Sequence, residues 1–412
     1  MHSTQQSPRY RRILAIVIDS IGTGDAPDAA KYNSEGADTL GHMAQWFVDN
    51  MGRPLHLPTM ARLGLGNLRA PDKPLAGIAP AEAPAGAFGR MRITSFGNDS
   101  LDGHWEMMCL PARFRVDYFP QGFPESLLDK IRAFSGRGIL CNKPYSGTQV
   151  IHDYGEEQMR TGDLIVYTSG DSVLQIAAHE DVIPLEELYR ICEYARTLIN
   201  GPEITMGRVI ARPYVGPDKD HFTRTANRHD YGLVPTGPTV VDFLHDAGFD
   251  TIAVGKTFDL LCGHGFGPHY HNESNTDGMD HVDEVMAQDW RGLCFTNLVD
   301  FDAIYGHRRN PEGDGLALEE FDERLGQVMA RMRDDDLVLV TADHGNDPTY
   351  TGTDHTRELV PLLAWSPSMT AATGAGADLG LRATASDLGA TILENFGVTG
   401  NGEGTSFLAQ IS

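Results

Sequence analysis

The sequence predicts an α/β protein with a mainly parallel sheet and a second, α+β unit inserted into it. Three observations carry this. Short apolar, β-branched runs recur along the chain: ILAIVID at 13–19, DLIVYTSGD at 163–171, FDTIAVGK at 249–256, LCFTNLVDFD at 293–302 and LVLVTADH at 337–344. Such near-continuous runs are what strands buried on both faces look like. Amphipathic helical stretches lie between them, and alternating strand and helix favours a parallel sheet. Residues 111–230 have a different texture, richer in aromatics and Arg, with strands that do not end in an acid except at Asp171.

Taken in order, the first ten residues are polar and expected to fray. The 13–19 run opens the sheet and ends on Asp19. In GADTLGH, Asp38 precedes a helical pattern and is placed to cap it. Residues 70–89, rich in Ala, Pro and Gly, read as a surface loop. Inside the inserted unit, residues 184–199 place Leu185, Leu188, Ile191, Cys192, Ala195 and Ile199 on one stripe. Residues 318–332 do the same with Leu318, Phe321, Leu325, Val328, Met329 and Met332. The acidic run Asp334-Asp335-Asp336 reads as a solvated turn before a strand, and 366–380 as a flexible loop. The predicted domains are 1–109 with 226–412, and the insert 110–225.

Composition bounds the function. Of 412 residues, 41% are hydrophobic and the net charge is −24, so a sizeable core is available and a nucleic-acid backbone is an unsuitable partner. No run reaches the roughly 18 apolar residues of a membrane span, and the N-terminus does not read as a signal peptide. Five scattered cysteines without a CxxC pair read as free thiols of a reducing compartment. The expectation is a cytoplasmic protein without nucleic-acid or membrane partners; its charge favours solubility and leaves the number of subunits open.

The polar chemistry collects at strand ends, where open α/β sheets bind ligands. Asp19, Lys256, Asp302 and the pair Asp343–His344 all fall there. TGTDHTRE adds His355 eleven residues after His344, FDAIYGHRR adds His307 five after Asp302, and GNDSLDGHWE adds Ser100. Any one Asp–His pair in a chain with 16 His and 57 acids is ordinarily a surface or capping pair. The DHGND…DHT combination at strand ends is far more specific. Three carboxylates, three imidazoles and a hydroxyl suit Mn²⁺, Zn²⁺ or Fe better than Mg²⁺ or Ca²⁺. They are too many for one tetrahedral ion and fit two ions about 3.5–4 Å apart, a device for phosphoryl transfer through a hydroxyl. His264, His269 and His271 in CGHGFGPHYH read as a polar loop.

The blocks IDSIGTGDAPDA, DGHWEMM, NKPYSGTQVI, YTSGDSVLQIAAHE, GRVIARPYVG, RTANRHDY, FTNLVDFDAIYGHRRNPEG and TADHGNDPTYTGTDHTRELVPLL resemble those of the phosphopentomutase family of the alkaline phosphatase superfamily, from residue 13 to about 366. The resemblance implies an alkaline-phosphatase-like α/β core with a mainly parallel sheet and an inserted cap. It also implies two Mn²⁺ ions (other divalent metals being alternatives), a small sugar phosphate as substrate, and a sugar bisphosphate such as glucose 1,6-bisphosphate as activator. Carried over motif by motif, it places Asp19, Asp343 and His344 on one ion and Asp302, His307 and His355 on the other. Ser100 is the nucleophile, and Asp171, Arg208 and Lys256 are the substrate contacts. The activity implied is interconversion of α-D-ribose 1-phosphate, or its 2-deoxy form, and ribose 5-phosphate through a phosphoserine and a bisphosphate.

Two departures stand out. The family's G-K-D-T-x-x-G-H-W-E reads GNDSLDGHWE here, so Ser100 replaces Thr, Asn98 replaces Lys and Asp102 is an added acid. The last two changes are expected to make the local field more negative and repel a phosphate unless a cation compensates. The block around Cys262 also differs. Both leave open a phosphomonoesterase, or a mutase for another sugar phosphate. A non-catalytic metal-binding descendant is disfavoured because every ligand position is filled.

Overall fold

The computed structural model describes residues 8–69, 73–169, 172–201, 203–370 and 372–412. The chain divides into two compact units, one formed by 1–113 with 235–412 and the other by 114–234. The second unit runs on to Val234 because the strands Thr223–Arg224 and His229–Gly232 pair with Arg208–Val215.

The first unit holds an eight-stranded sheet. Its centre is three parallel strands, Arg12–Ile18 flanked by Gly292–Leu298 and Asp336–Thr341, every residue of which is buried. Asp250–Val254 extends the parallel set beyond Gly292–Leu298. On the other side Val360–Trp365 and Ala87–Met91 add antiparallel pairs, so the sheet is mainly parallel. The helices form two packed groups. One contains Thr39–Trp46, Pro58–Leu63, Asn275–Met286 and Pro311–Met329; the other contains Ser100–Met107, Val240–Asp246, Thr257–Leu260 and Ser386–Phe396. With the central strands covered on both faces, this is a three-layer α/β/α arrangement.

Local chemistry sets the element ends. Asp38 caps Thr39–Trp46, its carboxylate accepting the Gly41 N–H. The long helix begins at Pro311, earlier than its apolar stripe indicates, because Asn310 caps it and Pro fills the first helical position. Two expectations of solvent exposure fail. Tyr10 is buried and its N–H is held by Asn395 Oδ1 at 2.8 Å. Asp336 is buried too, opposite Arg12 in the strand register, and binds that guanidinium at 2.7 and 2.6 Å. A strand-opening ion pair buried at both ends pins register, because a slip would leave either charge unpaired.

The second unit is a six-stranded mixed sheet built around Val173–His179, which is parallel to Arg208–Val215 and antiparallel to Leu164–Thr168. Side chains alternate across it. Leu164, Val166, Leu174, Ile176, Val209 and Ala211 share a core with Glu125–Ser135 and Leu185–Leu198, whereas Ile165, Tyr167, Ala177 and Tyr214 pack with Val150 and Ile151 of Gly147–Thr161.

Glu358 fastens the loops at the carboxyl end of the first unit's sheet. Its carboxylate accepts from Gly24 N, Thr39 N, Thr39 Oγ1 and Thr356 Oγ1 at 2.7–3.1 Å. It sits where a Cβ on Gly22 or Gly345 would come within 2.3 and 2.2 Å of it. Burial pushes this carboxyl up to about 7 from 4.5. A pKa raised on folding stabilises the native state below the unfolded value, and that contribution is lost as pH rises through the folded one. Relative to Glu358→Gln, the wild type should therefore lose about 3 kcal/mol between pH 4.5 and 7.5 and change little above that. Urea unfolding of both proteins across this range measures the difference; a pH-independent difference would contradict the assignment.

Candidate metal centre

The register of the central strands builds the centre. Ile18 lies opposite Leu298, and Val17 opposite Thr341, so Asp19, Asp302 and Asp343 leave the sheet at one edge. Ser20 has a φ of 64°, and this turn lets its N–H reach Asp343 Oδ1 at 3.0 Å. After Leu298 the chain makes a π-helical turn, Phe301–Gly306, in which His307 N–H bonds to Asp302 C=O at 3.0 Å. That wide turn explains the five-residue spacing: it places His307 Nε2 3.3 Å from Asp302 Oδ2.

Two groups of possible ligands come together, Asp302 with His307 and His355, and Asp19 with Asp302 and His344. Asp343 joins them through its Oδ2, 3.4 Å from His344 Nε2. All six predicted ligands therefore converge, with Asp302 between the two groups. Each imidazole is oriented from behind by a backbone carbonyl. His344 Nδ1 is 3.1 Å from Gly345 O, His307 Nδ1 2.7 Å from Thr353 O, and His355 Nδ1 3.0 Å from Asn98 O. A carbonyl only accepts, so each Nδ1 carries the hydrogen and each Nε2 lone pair faces the centre, the usual arrangement behind a metal ligand.

The donor set fits divalent cations on further grounds. Asp19 Oδ1 and Asp343 Oδ2 are buried and accept no well-aligned hydrogen bond among the described residues, Asp343 Oδ2 having only a lateral contact with His104 Nδ1 at 3.2 Å, and burying a carboxylate oxygen so poorly partnered is costly. His307 Nε2 and His355 Nε2 lie 3.2 Å apart, and two facing lone pairs require a proton or a cation between them. Electrostatics agree. Burial, reinforced by the Asp343 charge, pushes the Asp19 carboxyl up. Burial works against the charged form of Asp302 as well, but His307 and His355 outweigh it and hold its pKa below the ordinary range. The Asp302 contact in turn raises His307 to about 9.

Ser100 opens the helix Ser100–Met107, whose N-cap Asp99 accepts from Leu101 N and Asp102 N. Its Oγ lies 2.7 Å from Lys256 Nζ and 3.2 Å from His344 Nε2. Lys256 also ion-pairs with Asp19. This lysine, expected among substrate contacts, stands at the Ser100 hydroxyl itself and places a cation there. The expected field of Asp102 is altered as well. Asp102 is buried in a capping box, accepting the Asp99 N–H at 3.1 Å. Burial and the Asp99 charge raise its pKa well above normal, which favours its neutral form. Asn98 is equally structural, its amide donating to His355 O at 2.9 Å.

The second unit carries Arg208 at the start of Arg208–Val215, half-exposed and 3.8 Å from Asp230. Asp171 lies outside the described residues. Nothing gathers His264, His269 and His271 into a ligand group among the described residues. Sequence reasoning missed Asn297, whose amide donates to Asp19 Oδ2 at 2.8 Å, and Asn346, which donates to Asp302 Oδ1 at 2.8 Å. The only sequence signal for them was position, one inside a strand that leads to a ligand and one two residues past another.

Gly103 is required for the approach of this helix to the centre. A Cβ there would lie 2.3 Å from Asp343 O and 2.7 Å from Asp343 Cβ, neither of which is a flexible chain end. Gly103→Ala should cost about 1–3 kcal/mol and lower metal content by moving Asp343. Urea unfolding and metal analysis of the purified variant check this, and wild-type values in both would contradict it.

Comparisons with known proteins give the family. A sequence model of the Metalloenzyme superfamily matches residues 11–400. A phosphopentomutase of Levilactobacillus brevis is 60% identical over 403 residues, covering 98% of this chain and 100% of that one. A phosphopentomutase of Limosilactobacillus reuteri is 61% identical, with 98% and 99% covered. A solved phosphoglycerate mutase of Leishmania mexicana aligns over 98% of both chains at 13% identity, with a TM-score of 0.47. The chain belongs to the phosphopentomutase family of the metalloenzyme superfamily.

Proposed function

We propose that this chain interconverts α-D-ribose 1-phosphate, or 2-deoxyribose 1-phosphate, and the corresponding 5-phosphate. The reaction would run through phosphorylated Ser100 and a sugar 1,5-bisphosphate, with two Mn²⁺ ions and a sugar bisphosphate that primes the serine. The enzyme is an isomerase of the phosphotransferase kind. The observation that carries the reading is the placement of Ser100 Oγ, held between Lys256 Nζ and His344 Nε2 at 2.7 and 3.2 Å at the rim of six converging ligands.

Asp19, Asp343 and His344 would hold one ion, and Asp302, His307 and His355 the other. When bound, the pair supplies Lewis-acid stabilisation of charge on the transferring phosphoryl group. The rest falls to the chain. Position at the first turn of a helix gives Ser100 favourable amide dipoles for a phosphoryl group, and Lys256 adds a positive charge beside Oγ. With ribose 1-phosphate, the free 5-hydroxyl attacks the phosphoserine. A P–O bond to the sugar forms as the P–Oγ bond breaks, and the hydroxyl proton replaces the phosphoryl group on Ser100. The bisphosphate then turns, Ser100 attacks the 1-phosphate, and the serine proton passes to the released sugar oxygen. Phosphate and proton balance over the cycle. Arg208 and Asp171 are proposed to hold the distal phosphate and the ribose hydroxyls, with Lys256 extending from the nucleophile to the same substrate.

A ³¹P NMR time course tests this with Mn²⁺-loaded protein, α-D-ribose 1-phosphate and a trace of glucose 1,6-bisphosphate. Ribose 5-phosphate should grow in without inorganic phosphate. Phosphate release would make the protein a phosphomonoesterase, and an unchanged spectrum would point to a different sugar phosphate. Ser100→Ala should lower turnover by at least about 10⁴-fold, as expected for loss of a covalent nucleophile, with metal content retained. Full activity in that variant would refute the phosphoserine route.

A further inference from the structure

His104 is fully buried beside the centre and has no role in the chemistry described so far. Its Nδ1 lies 2.8 Å from the carbonyl oxygen of Ser100 and 3.2 Å from Asp343 Oδ2. Its Nε2 lies 3.0 Å from Asn297 Nδ2, the amide that also donates to Asp19 Oδ2 at 2.8 Å. The orientation of that amide is fixed, because a carboxylate only accepts and Asn297 must turn its NH₂ toward Asp19. The second hydrogen of the NH₂ then points at His104 Nε2, which must accept it. Hydrogen on the imidazole is thereby confined to Nδ1, where both neighbours are oxygens.

One ring is thus hydrogen-bonded to the backbone of the nucleophile and, through Asn297, linked to Asp19, while its Nδ1 edge also lies against the Asp343 carboxylate. Simple packing against Phe295, whose ring centroid is 5.6 Å away, would need none of these polar contacts. We infer that His104 is a positioning residue that couples the Ser100 turn to the Asp19–Asp343 side of the metal centre, with Asn297 fixing its tautomer. The catalytic part of this inference rests on the phosphoserine reading; the metal part stands without it.

The test uses the full chain and Mn²⁺ alone as probe, with affinity read from the EPR signal of free Mn²⁺. Steady-state kcat and KM are then measured on α-D-ribose 1-phosphate. An Asn amide superimposes on the Cγ–Nδ1 edge of His, whereas a Gln amide reaches the Nε2 position and lacks the near donor. His104→Asn should therefore keep Mn²⁺ affinity within about threefold of wild type. His104→Gln and His104→Ala should weaken it by about 10–100-fold, the range seen when partners of metal ligands are lost. kcat should fall by a similar factor in the Gln and Ala variants, with KM within about twofold. Asn297→Ala should behave like His104→Gln. If His104→Ala does not fold, the Asn–Gln comparison carries the test. Wild-type affinity and kcat in His104→Gln, or equal losses in His104→Asn and His104→Gln, would overturn the inference, and wild-type behaviour of Asn297→Ala would overturn the tautomer relay. Failure of the pentose-phosphate reading looks different: no turnover in the wild type, with the Mn²⁺ affinities still ranked as stated.

Discussion

The in-register parallel pairing of Arg12–Ile18 with Gly292–Leu298 on one side and Asp336–Thr341 on the other is the constraint on which the rest of the molecule depends. Three strands that start level also end level, and the residues that follow them carry the ligands. A slip of one residue in either pairing would exchange the side chains packed on the two covered faces and separate Asp19 from Asp343 or Asp302. The register is secured at the opposite end by the buried Arg12–Asp336 pair. The two ends of one strand thus divide the work, with an ion pair fixing alignment at one and buried carboxylates converging at the other.

Gathering three carboxylates at one edge is unfavourable unless donors and cations surround them. Amides and backbone N–H groups reach Asp19, Asp302 and Asp343 from behind, and Lys256 approaches Asp19 from the Ser100 side. Among the described residues one oxygen each of Asp19 and Asp343 accepts no well-aligned hydrogen bond, and the imidazole Nε2 atoms point to the same space. The same surroundings accommodate an acid at position 102, two residues from Ser100. The chain buries it in a helix cap, which favours its neutral form, and places a lysine at the hydroxyl.

Much of this was legible in the sequence because strands and their terminal ligands are contiguous. ILAIVID and LVLVTADH each state a buried strand and its candidate metal ligand in one string, and the π-turn spacing of Asp302 and His307 is short enough to be noticed. The supporting shell was not legible. Asn297 lies inside an apolar strand, His104 mid-helix, and Glu358 three residues past a ligand, with partners distant in the chain and no pattern connecting them. Asp336 was misread for a related reason: in a run of three acids nothing local reveals that the last one faces a guanidinium 324 residues away. Composition reports how many charges a chain has, whereas only the fold decides which of them are buried.

The central claim is that strand register assembles two adjoining cation sites sharing one sheet edge. Anomalous diffraction at the manganese edge, from crystals of the Mn²⁺-loaded protein, tests it most directly. The account predicts two peaks about 3.5–4 Å apart, one among Asp19, Asp343 and His344 and the other among Asp302, His307 and His355. A single peak, or a second one held by residues away from this edge, would contradict it.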